Sequence, residues 1–293
     1  MSKANKICAF RWPLWGWAGL ALVGVFWPVN WFWPGLRTHW AFFPLWLGYA
    51  LTVDALTYCR QGASLASRSP WRYAALFVLS APGWWLFEAL DTRTQNWHYV
   101  GRSFFSDTQY ALLASLSFST VMPAVFGTAQ WVRTWPWFRR PRRGPRIRPT
   151  RGLLLAFFGS GWVMLGVLWA WPRYGFPFLW LALYFILEPL NAWLKFPTLL
   201  RWAKGGNWQP IYTLWAAVWL TAFFWEMWNF FSYPKWVYHV PFVDCCHVFE
   251  MPLLGYGGYL PFALELFALY HLLAGLLRLD RGEYLAPALV SEE

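Results

Sequence analysis

Charge is what this sequence has least of: charged residues make up 13% of its 293 positions, about half the share found in soluble domains. That scarcity excludes an ordinary water-soluble fold. No polar stretch is long enough for a large soluble domain, so whatever the chain does, it does in or at a bilayer. Cysteine is sparse too, with 4 residues, which excludes a disulfide framework. Cys8 and Cys59 read as inert, while adjacent Cys245 and Cys246 are badly placed to pair with each other and are expected to stay thiols. Of the 5 histidines only His271 sits well inside an apolar segment, and no pair is spaced along one, which argues against haem. No cofactor is expected.

Apolar residues fill 58% of the sequence and aromatics 23%, with 27 tryptophans among them. Indoles score poorly on hydropathy scales yet sit comfortably at bilayer interfaces, so mean hydropathy understates how well such a chain suits a membrane. With about 20 apolar residues as the measure of one crossing, eight segments emerge: 13–33, 39–59, 72–91, 108–131, 152–171, 176–197, 209–230 and 253–277. The expected class is therefore all-α, a polytopic membrane protein. Sorted by loop, nineteen of the 24 basic residues fall on the side of the amino terminus, including Lys3, Lys6, Arg60, Arg68, Arg201 and Arg278. The positive-inside rule then places both termini in the cytoplasm of a bacterial-type inner (plasma) membrane. The amino terminus has a basic start and an apolar run but no small-residue cleavage site, and is expected to remain as the first crossing.

Eight of the arginines crowd into Arg133–Arg151, where proline and glycine forbid a long helix. This basic linker divides the chain into a first four-helix unit at 1–132 and a second at 152–293. Its expected partners are anionic lipid headgroups along Arg139–Arg151, not nucleic acid.

The two units repeat one another. Trp84-Trp85-Leu86-Phe87-Glu88-Ala89-Leu90-Asp91, then Trp97-His98-Tyr99, then Met122-Pro123, is answered by Phe224-Trp225-Glu226-Met227-Trp228-Asn229, then Trp236-Val237-Tyr238, then Leu260-Pro261. An ungapped match from Leu45-Trp46-Leu47 to Leu179-Trp180-Leu181 carries Asp54 onto Glu188. Four crossings per unit return the chain to its starting side, so parallel repeats are expected, with a pocket between them.

Five acids lie inside the apolar segments: Asp54, Glu88, Glu188, Glu226 and Glu265. Facing lipid, each would cost about 2.5–3.5 kcal/mol, so they are expected to face the bundle interior. Two readings stand side by side. Burial makes a carboxyl a proton donor at neutral pH; alternatively, the acids hydrogen-bond across helices and hold them together. Glu226 and Asn229, like Glu88 and Asp91, share a helix face. An acid beside aromatic faces that stabilise a carbocation is the equipment for protonating an alkene. Trp97, Tyr99, Asn229, Trp236, Tyr238 and His239 are the corresponding substrate-binding candidates. In the second outer loop, His239, Asp244, His247 and Glu250 also offer imidazole and carboxylate ligands, though in no familiar metal-binding spacing, so no metal is expected.

The order Trp225-Glu226, Trp236-Val237-Tyr238, Leu260-Pro261-Phe262-Ala263-Leu264-Glu265 resembles the repeat of the heterodimeric and fused lycopene cyclases of carotenoid synthesis, over about 50 residues in each half. Here one acid, Glu265, follows Pro261, and Gly127 takes its place in the first half. The resemblance implies an integral membrane enzyme, a cyclase or hydratase of the lyase or isomerase type, that protonates a long isoprenoid without a redox cofactor. Glu226 would be the proton donor, Glu88 its counterpart, and Glu265 a further acid in the same pocket. Two other classes stay open: a proton-coupled transporter, and a non-catalytic subunit of a membrane complex holding pigments or quinones.

Overall fold

A computed structural model describes residues 8, 10–140, 142–280 and 282–289, and the chain is mostly helical. In chain order the described helices are α1 (Leu14–Phe32), α2 (Thr38–Gln61), α3 (Leu65–Arg68), α4 (Pro70–Thr94), α5 (Asp107–Phe118), α6 (Val121–Arg133), α7 (Arg151–Ala170), α8 (Pro172–Gly175), α9 (Ala182–Trp193), α10 (Leu199–Lys204), α11 (Gln209–Phe230), α12 (Tyr259–Leu276) and α13 (Ala286–Leu289). Two small antiparallel ribbons join them, β1 (Trp97–Val100) with β2 (Lys235–Tyr238), and β3 (His247–Val248) with β4 (Met251–Pro252). The ribbons lie in the two long connections that sequence patterning reads as loops. Lys3, Lys6 and Arg281 of the basic set fall outside the described residues.

Helix occupies part of each of the eight apolar segments. Among the described residues, four helices are long and apolar enough to cross a membrane: Pro70–Thr94, Asp107–Arg133, Arg151–Ala170 and Leu253–Leu276. A fifth arises if Pro172–Trp180 and Ala182–Trp193, bent by 42°, count as one. α1, α2 and α11 are also long but carry tryptophan, proline and polar residues such as Asn30, Asp54 and Asn229.

The break between α5 and α6 has a local cause. The Ser80 hydroxyl accepts from Met122 N at 3.1 Å and donates to Phe118 O at 2.6 Å, inserting itself where an intrahelical bond would run. Pro123 removes the next donor.

α6 is buried on every side, Val121 through Gln130 without exception, and packs against α2, α4 and α11. A helix apolar all round belongs at the centre of a bundle. α7 stands at the edge: it buries Leu154, Gly161 and Leu168, spaced by seven, as one narrow stripe against α9. α1 lies close along α2 because its contact residues are small. A Cβ on Gly19 would fall 2.8 Å from Thr52 N and 2.9 Å from Gly48 O.

Cys8 and Cys59, expected to be inert, are brought side by side with Cα atoms 4.9 Å apart. The chain ahead of α1 runs beside the end of α2, where Phe10 N donates to Cys59 O at 2.9 Å, and this brings the two cysteines together. Cys245 and Cys246 are free and exposed. The basic linker is seated on the chain around α10. Gly144 N donates to Gly206 O and Trp208 N to Arg142 O, while Trp208 Nε1 donates to Pro145 O at 2.9 Å.

The backbone of α2 within 3 Å leaves no room for a side chain at Gly19. Gly19→Leu is therefore expected to lower stability by about 1–3 kcal/mol, read as an earlier unfolding midpoint in detergent. Gly24→Leu, where nothing lies within 4 Å, should leave the midpoint in place. Equal midpoints for the two variants would refute close packing of α1 on α2.

Candidate functional site

The period of two in a strand puts Trp97 and Tyr99 on one face of β1, and Trp236 and Tyr238 on one face of β2. The register pairs Trp97 with Tyr238, His98 with Val237 and Tyr99 with Trp236. Each strand is tied to the helix before it. Asp91, in the last turn of α4, accepts from Asn96 N at 2.7 Å and from Thr94 Oγ1 at 2.9 Å. Asn229, near the end of α11, accepts from Trp236 N at 3.0 Å and donates to Trp236 O at 2.6 Å.

One turn earlier on the same helix faces are Glu88 and Glu226, and the strand side chains point their donors at them. Glu88 Oε1 accepts from Tyr99 OH at 2.6 Å, Trp84 Nε1 at 2.9 Å and Trp97 Nε1 at 3.1 Å. Glu226 Oε1 accepts from Tyr259 OH at 2.5 Å and Tyr238 OH at 2.8 Å, and Trp236 Nε1 donates to the Tyr238 hydroxyl at 2.9 Å. The spacing of acid, polar residue and aromatic triplet thus encodes one unit: the first side chain takes the strand's donors, and the second fixes the strand's backbone. Glu88 is half-buried. Glu226 is fully buried, and its Oε2 has no protein partner.

Beside these carboxylates opens a cavity of about 520 Å³, a size suited to a small-molecule ligand. Trp84, Trp97, Tyr99, Trp180, Tyr238 and Phe262 are among its walls. Phe262 meets Phe87, Trp180, Trp84 and Trp225 edge-on or tilted, with ring centroids 5.4, 5.7, 5.8 and 6.4 Å away. Neither glutamate lines the cavity. Their tyrosine and tryptophan donors stand between.

The remaining acids lie elsewhere. Asp54 accepts from Ser64 Oγ at 2.7 Å, Ala66 N at 3.0 Å and Trp15 Nε1 at 3.1 Å, which fastens the start of α3. Glu188 accepts from Leu200 N at 2.7 Å at the start of α10. Glu265 accepts from Leu183 N at 3.1 Å in the first turn of α9, satisfying a donor that the bend before α9 leaves free. These three hold the starts of helices and are not among the cavity walls. His239 is exposed, and its ring faces Asp244 Oδ2 at 3.3 Å; His247 faces Asp244 Oδ1 at 3.0 Å. Glu250 turns away to pair with Lys235. Among the described residues no cluster of three or more His, Cys, Asp or Glu side chains is placed to hold a metal.

Sequence patterning passes over Trp84 as a site residue, although it lies four before Glu88 and so on the same helix face. It has no means of finding Tyr259, which reaches Glu226 from another helix. No protein-family model, curated protein or solved structure matches the chain.

Burial first, and then the neighbouring carboxylate, push the phenols of Tyr99 and Tyr238 well above their ordinary value of 10.0. A pKa raised in the folded state contributes stability that is complete below pH 10 and is lost as pH climbs beyond it. Both phenols are expected to stay protonated at pH 10 in the native protein, while the unfolding midpoint falls above that pH. Loss of the late-ionising fraction of phenolate absorbance in Tyr99→Phe and Tyr238→Phe would assign it. Ionisation of both at pH 10 with the fold intact would contradict the buried geometry.

Proposed function

We propose that the protein lies in the membrane as two parallel four-helix repeats and acts on a long, isoprenoid-like molecule held in the aromatic cavity, with Glu226 as the source of a proton. The repeat reading is supported by the ribbon. Each strand's tryptophan pairs with the other strand's tyrosine, the reciprocal pattern of a two-fold axis through the His98–Val237 pair. A two-fold relation suits parallel repeats of four crossings each. Charge sorting then sets the ribbon end outside and the arginine linker at the cytoplasmic headgroups of a bacterial-type inner membrane.

The observation that carries the functional reading is a buried carboxylate separated from an apolar, aromatic cavity only by tyrosine hydroxyls that it already holds. When Glu226 carries a proton on Oε1, its hydrogen bond with Tyr238 reverses. The carboxyl proton moves to the phenol oxygen as the phenol proton passes to an alkene carbon of the ligand. The resulting carbocation faces the rings of Trp97, Trp180 and Phe262, whose quadrupoles favour it. Loss of a proton from an adjacent carbon back along the same path restores Glu226. The net change is a redox-neutral isomerisation or ring closure. Glu88 has Tyr99 and Trp97 in the equivalent places, but it also takes Trp84 as a third donor from its own helix.

Solvent extraction of the gently purified protein is expected to release a long-chain isoprenoid, and Glu226→Gln is expected to cut its conversion by at least about a hundredfold while the ligand is still retained. An extract containing only ordinary phospholipid, with other subunits in fixed stoichiometry, would turn the reading toward the accessory-subunit class. The orientation is checked by a membrane-impermeant maleimide. Exposed Cys245 and Cys246 should be labelled from the outer face of intact cells, and labelling only after lysis would reverse the topology.

A further inference from the structure

α7 is buried along one narrow stripe, so most of its surface is open, and its last turns carry a distinct pattern. Trp162 and Trp169 are spaced by seven and lie on one face of the helix, with Gly166 between them on that face. Both tryptophans are exposed, at 56% and 60%. Nothing lies within 4 Å of the place a Cβ would take on Gly166. The missing side chain leaves a notch between two indoles, and Leu90 of α4 lies across it. The result is a second cavity of about 480 Å³, with Leu90, Trp162, Leu165, Gly166, Leu168 and Trp169 among its walls.

A cation stands at the end of this notch. Arg93, in the last turn of α4, donates from Nε to Trp169 O at 2.8 Å, and its guanidinium lies 5.9 Å from the centre of the Trp169 ring. Arg93 is exposed and forms no ion pair among the described residues, whereas Arg102 and Lys235 have Asp107 and Glu250. With Nε engaged, the two terminal nitrogens are left to bind an anion.

The shape of the notch selects its occupant. At a rise of about 1.5 Å per residue, Trp162 and Trp169 are about 10 Å apart along the axis, and a helix with its side chains is about 10–12 Å across. A neighbouring helix therefore cannot settle between the two indoles and reach Gly166. A single hydrocarbon chain can. Two copies of the protein meeting notch to notch would also bring their Arg93 side chains together, and like charges repel.

We infer that this notch is a phospholipid site, in which one acyl chain lies between Trp162 and Trp169 against Gly166 and Arg93 holds the lipid phosphate. Arginine meets phosphate oxygens with two parallel N–H bonds, and indoles suit the boundary between headgroup and chain. The site is separate from the aromatic cavity. It rests on the membrane reading proposed above and is independent of the isoprenoid reading.

The test is native mass spectrometry of the full chain in detergent, delipidated and titrated with dioleoyl phosphatidylglycerol or with the diacylglycerol of the same chains, which lacks the phosphate. Wild type is expected to retain a single phosphatidylglycerol in preference to diacylglycerol. Gly166→Leu fills open space, so its unfolding midpoint should match wild type while phosphatidylglycerol binding falls about tenfold or more. Arg93→Gln should keep diacylglycerol binding and lower the preference for phosphatidylglycerol about tenfold. Val163→Leu, on the same helix but not among the notch walls, should change neither. Absence of retained lipid in wild type, or binding unaltered in Gly166→Leu, would overturn the site. A preference unaltered in Arg93→Gln would overturn the phosphate contact. A dimer that disappears in Gly166→Leu would assign the notch to a second copy instead. Failure of the wild-type chain to float with phospholipid vesicles would overturn the membrane reading and the site with it.

Discussion

A carboxylate buried in apolar surroundings must be met by donors, and in this protein that constraint organises the structure at both ends of the bundle. At one end Asp54 and Glu188 take backbone N–H groups from the starts of α3 and α10. At the other, Glu88 and Glu226 take the hydroxyl and indole donors of the β1–β2 ribbon. Removing such donors would leave a charge without solvation, and the penalty far exceeds the worth of a single hydrogen bond. The short helices and the ribbon are therefore held where they are by the acids beneath them. The ribbon in turn roofs the cavity.

The two ends use the same chemistry for different purposes. Asp54, Glu188 and Glu265 meet backbone donors at helix starts, where the peptide groups need an acceptor whatever else the protein does. Glu88 and Glu226 meet side chains that also line the cavity, so their hydrogen bonds connect a titratable group to a ligand space. The partners of these two differ. Glu88 draws its third donor from its own helix through Trp84, whereas Glu226 draws on Tyr259 from α12 and keeps Oε2 unpartnered. The groups around the two glutamates are thus chemically unlike.

Much of this was legible in the residues. The recurrence of an acid, a polar residue one turn on and a Trp-x-Tyr triplet marked the parts that prove to touch. The spacing of three between Glu88 and Asp91, and between Glu226 and Asn229, put both members of each pair on one helix face. What escaped was the form of the triplet segments: four-residue strands flanked by turns carry too little periodicity to register, and the pairing partner lies 139 residues away for His98 and Val237. The proximity of Cys8 and Cys59 escaped for the same reason, since contact between α2 and the chain ahead of α1 depends on how the two run side by side.

Composition and patterning by themselves determined that the chain is helical and apolar and which acids lie inside its apolar segments, because each of these follows from local composition and the cost of charge in an apolar setting. Only the tertiary structure decided which donors each acid meets. Asp54, Glu188 and Glu265 share their chemistry with Glu226, but a carboxylate's task is set by the groups folded against it. For Glu226 these are hydroxyls on a cavity wall, and for the other three they are the opening turns of helices.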